Sequence, residues 1–117
     1  MLTQWGYSKR HQFGGNSNPG MWMIGSTLRL FERSPKGALF ADMNACNLYT
    51  KGLERAALVK CPILAVLGEQ DRLTPVRGSA NLMQALPDVD VHILPGAGHT
   101  LMVEAPNGLL DALKTIL

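Results

Sequence analysis

Cys61-Pro62-Ile63-Leu64-Ala65-Val66-Leu67-Gly68-Glu69-Gln70-Asp71-Arg72-Leu73-Thr74-Pro75 is the stretch whose reading decides the fold. Ile63 to Leu67 is an unbroken apolar run closed by a glycine. A strand with one wet face alternates polar and apolar residues. A run without alternation fits a strand covered on both faces, as in a parallel sheet. The polar loop from Glu69 to Thr74 leads to Pro75, whose fixed φ suits a first helical position. The spacing predicts a helix from there to about Leu86, with Val76, Ala80, Met83 and Leu86 facing inward. Pro87-Asp88 turns the chain, and Val89-Asp90-Val91-His92-Ile93-Leu94 reads as a second strand, ended by Pro95-Gly96-Ala97-Gly98. Pro106 opens a last helix, in which Leu109, Leu110, Leu113, Ile116 and Leu117 make one apolar stripe. Strand, helix, strand with this crossover length predicts a right-handed parallel βαβ unit.

Upstream of Cys61 the grammar is different. The glycine-, asparagine- and serine-rich residues up to Gly20 read as a loop. Met21, Ile24, Leu28 and Phe31 then recur at helical spacing until Ser34-Pro35-Lys36-Gly37 stops them. A second helical stretch is expected over 38–58, with Leu39, Met43, Cys46, Leu53 and Ala57 on one face and a bend at Gly52. Charge changes sign with the grammar: residues 1–58 hold seven basic and three acidic groups, residues 59–117 four and six.

A parallel strand pair has a chemical consequence. The loops after Leu67 and Leu94 leave the sheet at the same edge, the carboxyl edge, where open α/β sheets build their sites. Asp71 lies four residues past Leu67 and His99 five past Leu94, so the two side chains can meet. An Asp that accepts from one imidazole nitrogen fixes the tautomer and leaves the other nitrogen as a general base. Each residue also has a structural reading, because an Asp after a strand often caps a turn and a His after a glycine-rich turn is ambiguous. His92, alternating within a strand, reads as a surface or packing residue. Met21, Trp22 and Met23 either line an acyl pocket or pack in a core, since soft side chains suit both.

The residues quoted above resemble the C-terminal part of the α/β-hydrolase family. Its pattern P-x-L-x-x-x-G-x-x-D-x-x-x-P is met from Pro62 to Pro75, Leu94-Pro95-Gly96-Ala97-Gly98-His99 follows, and Glu104-x-Pro106 resembles the start of the family's last helix. The resemblance covers about 59–117 and implies an α/β fold, incomplete relative to the family: a helical N-terminal half followed by a parallel βαβα unit. It implies residues 1–37 as the remnant of a cap or lid and 38–117 as the C-terminal part of the core. Asp71 would be the acid and His99 the base of a serine-type triad, with Met21, Trp22 and Leu73 near the substrate pocket. The implied reaction is hydrolysis of a small-molecule ester or a related acyl or carbon–carbon bond, with no cofactor.

The chain departs from the family at the nucleophile. G-x-S-x-G carries the attacking serine between a strand and a helix, and none of the five serines fits it. Ser8 and Ser17 have the leading glycine, but Arg10 and Pro19 stand where the trailing one belongs; Ser26, Ser34 and Ser79 lack the leading one. The expectation is a fragment that carries acid and base without nucleophile and is inactive alone. The other reading is a non-catalytic binding or assembly module that self-associates through an open sheet edge.

Composition excludes other classes. Eleven basic against nine acidic residues, with no basic run beyond Lys9-Arg10 and 6% aromatics, make a nucleic-acid surface a poor fit. No stretch approaches the roughly 18 apolar residues of a membrane helix, and the N-terminal residues have no apolar run that could act as a leader. Cys46 and Cys61 suggest free thiols, with Cys46 buried, and a cytoplasmic setting. No metal-ligand cluster is evident.

Overall fold

The computed structural model describes residues 23–117. The Met21 and Trp22 pocket candidates and the loop up to Gly20 lie outside the described residues. The described chain runs α1 (Met23–Arg33), α2 (Ala38–Leu48), α3 (Gly52–Ala56), β1 (Ile63–Gly68), a 3₁₀ turn (Val76–Ser79), α4 (Ala80–Ala85), β2 (Val89–Leu94), α5 (Leu101–Glu104) and α6 (Pro106–Leu113). It is an α/β architecture with a helical first half and a parallel βαβα second half.

β1 and β2 form a two-stranded parallel sheet among the described residues, in register from Ile63 opposite Val89 to Gly68 opposite Leu94. Ile63 to Leu67 are all half-buried, on both faces alike, and this is why the run shows no alternation. α6 packs against both strands. Its contact is made by small residues: Gly108 lies against Leu94, and Ala112 is buried. The expected stripe is therefore not the packing face, since Leu110, Leu113, Ile116 and Leu117 are exposed and Leu109 is half-buried. Small residues let the helix backbone approach the sheet, and periodicity of large residues alone does not register that.

The helical half departs further from expectation. α1 ends where Ser34 turns its hydroxyl back to the Leu30 carbonyl and Pro35 cannot continue the ladder. Gly37, with φ of 88°, makes the left-handed step into α2. The second helical stretch is two helices, interrupted at 49–51 before Gly52 rather than bent at it. α2 has no buried residue, so the face of Leu39, Met43 and Cys46 is exposed, as are Leu53 and Ala57. The Cys46 thiol, expected buried, is exposed, and Cys61 is too. Pro75 flanks the 3₁₀ turn with extended ψ of 145° and does not open a helix. Of the residues expected inward after it, Val76, Met83 and Leu86 are half-buried and Ala80 is exposed.

Candidate active site

Two loops meet at the carboxyl edge of the sheet because Gly68 and Leu94 are opposite one another. The Glu69 N–H donates to the Leu94 carbonyl at 3.1 Å and the Gln70 N–H to the Ala97 carbonyl at 2.8 Å. The Glu69 carboxylate accepts from the Gly96 N–H at 2.8 Å. Gly96 stands at φ of 70°, where a side chain would be strained, and turns the second loop back toward the first. The approach is close enough to exclude a side chain at Gly68, where a Cβ would fall 2.2 Å from the Gly98 carbonyl oxygen.

This apposition brings Asp71 and His99 together. His99 Nδ1 lies 2.9 Å from Asp71 Oδ2; the carboxylate-bearing side chain is 8% exposed and the imidazole 41%. Asp71 sits on a turn that it caps itself: the N–H groups of Leu73 and Thr74 both donate to Oδ1 at 2.8 Å. The Thr74 hydroxyl donates to Oδ2, also at 2.8 Å, and its oxygen is 3.2 Å from His99 Nδ1. Asp71 thus caps its own turn and meets His99 with the same carboxylate. Burial, the largest single influence, pushes its pKa up. The Thr74 N–H, the His99 ring, the Thr74 hydroxyl and the Leu73 N–H act the other way and hold it below the ordinary aspartate value.

An ionised carboxylate only accepts, so the proton of the contact belongs on His99 Nδ1. The neutral imidazole then carries its lone pair on Nε2, which has no hydrogen-bond partner among the described residues. The pair can therefore orient an imidazole and stabilise it when it takes a proton.

Three residues that sequence reasoning gave no part in the site belong to its frame. Thr74 completes the shell of Asp71, Glu69 ties the loops, and the buried Glu104 carboxylate accepts from the Gly98 N–H at 3.1 Å and the Thr100 N–H at 3.3 Å. A threonine three residues after the Asp and a glutamate five after the His were the available signals. Leu73 enters through its backbone N–H, its side chain half-buried. Neither of two clefts, about 590 Å³ around Phe31, Pro35 and Phe40 and about 180 Å³ around Ile63, Asp88 and Ile116, is lined by Leu73, Asp71 or His99. His92 is half-buried and its Nε2 contacts Asp90 at 3.0 Å, away from the pair. Among the described residues no cluster of His, Cys, Asp or Glu could hold a metal ion. Nor is any helix among them long and apolar enough to cross a membrane.

A parallel pair with this edge is part of an α/β-hydrolase fold. The structure of an α/β-hydrolase from the metagenome of sediments of the Mar Chica lagoon, Morocco, superposes with a TM-score of 0.66 at 20% identity, over 83% of this chain and 45% of that one. The particular family follows from the sequence model of the serine aminopeptidases of type S33, which matches residues 39–106; the chain belongs to that family. It is 39% identical over 59 residues to a monoacylglycerol lipase of Mycolicibacterium smegmatis, covering 49% of this chain and 21% of the lipase. A thermophilic esterase superposes with a TM-score of 0.52 at 28% identity, over 58% of this chain and 27% of the esterase. The chain thus spans about a fifth of the curated relative it matches and less than half of either solved structure.

Proposed function

We propose that this chain supplies the acid and base of a serine hydrolase that cleaves an ester or a related acyl or carbon–carbon bond in a small molecule. His99 Nε2 would take the proton of a serine hydroxyl and later return it to the leaving group, while Asp71 holds the Nδ1–H tautomer and stabilises the imidazolium. The observation that carries the reading is the 2.9 Å contact between His99 Nδ1 and Asp71 Oδ2 at the carboxyl edge of adjacent parallel strands. Similarity to a lipase and an esterase favours an ester over a peptide. Residues 1–37 would belong to a cap and 38–117 to the core, and the family match beginning at residue 39 supports that division. Leu73, beside Asp71, is the described candidate for acyl contact.

None of the five serines fits a nucleophile elbow, so this chain alone should hydrolyse p-nitrophenyl esters no faster than free imidazole at equal concentration. A burst of acyl-enzyme from it would refute that. The stronger test grafts residues 39–117 of this chain, which hold both Asp71 and His99, in place of the corresponding segment of the M. smegmatis lipase. The chimera should hydrolyse esters; Asp71→Asn should lower kcat by about 10⁴-fold, and His99→Ala by about 10⁶-fold. A His99→Ala chimera as active as its parent would overturn the assignment.

A further inference from the structure

We propose that Glu104 is a positioning residue for His99, aiming the imidazole at Asp71 through the N–H groups of the residues on either side of it. The inference rests on the reading of His99 as the base, and deepens it. Glu104 is 2% exposed, so its carboxylate has left water and must be satisfied by protein groups. Oε2 takes the Gly98 N–H and Oε1 the Thr100 N–H, the backbone donors of the residues before and after His99. The Glu104 N–H itself donates to the Thr100 carbonyl at 2.9 Å, closing the segment into one unit. On the other side Gly98 is pressed against Gly68. The backbone at His99 is therefore fixed on both flanks by one side chain. A half-exposed imidazole has freedom about its side-chain bonds, and a loop free to rotate would let Nδ1 leave the carboxylate. The clamp holds the backbone where the observed rotamer of His99 sets Nδ1 against Asp71 Oδ2.

Glu104→Gln keeps size and shape but sets an amide donor against one of the two N–H groups. The readout is the ¹⁵N spectrum of the His99 ring in the full 117-residue chain, at about pH 8, where a free imidazole is neutral. The unmodified chain should hold the Nδ1–H tautomer with the Nε2–H form as a minor fraction. Glu104→Gln should raise the Nε2–H form at least several-fold while the amide resonances of β1 and β2 stay unchanged. A merely structural glutamate would leave the tautomer alone; a folded Glu104→Gln chain with an unaltered His99 spectrum overturns the proposal. Should the variant not fold, amide exchange in the unmodified chain decides. Gly98 and Thr100 should exchange at least 100-fold more slowly than in an unstructured peptide, and exchange at the unstructured rate refutes the clamp. Neither readout depends on hydrolysis, so a chimera indifferent to His99 would overturn the proposed function without touching them. In an active chimera, Glu104→Gln should lower kcat at least tenfold with KM within twofold.

Discussion

Asp71 is held by four hydrogen-bond donors. Its Oδ1 takes two backbone N–H groups and its Oδ2 the Thr74 hydroxyl and His99. Because the folded carboxyl binds its proton less readily than in an unfolded chain, this stabilisation is full above the ordinary aspartate pKa of about 3.9. It fades as pH falls through the lower folded value. A ¹³C titration should place the Asp71 midpoint below that of a free aspartate. Thr74→Val removes the hydroxyl and keeps the backbone donor, so it should move the midpoint up and lower stability by about 1 kcal/mol. An unmoved midpoint would mean that the backbone amides and His99 set the charge without the hydroxyl.

At the scale of elements, the site is made by the approach of two loops, and glycine permits it. Gly68→Ala would put a methyl group 2.2 Å from a backbone oxygen, which cannot yield as a side-chain tip does. Urea denaturation should register a loss of about 1–3 kcal/mol, as for other overpacked positions, together with loss of the Asp71–His99 contact. Gly108→Ala makes the contrast: its Cβ would stand 3.4 Å from a Leu94 methyl group, and stability should change by less than about 1 kcal/mol. β1 was legible because its apolar run, set between Pro62 and Gly68, is too short for a helix, and β2 because Val89, Val91 and Ile93 alternate with Asp90 and His92. Asp71 and His99 were legible because strand ends place loops. Leu39, Met43 and Cys46 show where periodicity stops helping. Helical spacing marks a face but does not say what covers it, and among the described residues nothing buries that of α2. Glu104 was hidden for another reason: it acts on backbone amides, which look alike at every residue.

Across the molecule, large apolar side chains lie open on both halves. Phe40 is 75% exposed and Leu48 67%, while Val91 and Ile93 on β2 and Leu110 and Leu113 on α6 are exposed as well. Surface of this kind drives association, and a parallel sheet normally has both faces covered. Expressed alone, the chain should bind a fluorescent apolar dye and sediment with a mass that rises with concentration; a dye-silent monomer at every concentration would contradict this. The parallel pairing that sets Gly68 opposite Leu94 carries one more consequence. A slip by a single residue would slide one loop along the other by about 3.3 Å and send each side chain of that strand to the opposite face. His99 would then miss Asp71 altogether. The hydrogen bond between them works as a vernier, closed only when every residue of the two strands has found its proper neighbour, so a deletion of one residue in either loop should be as damaging as the loss of the histidine itself.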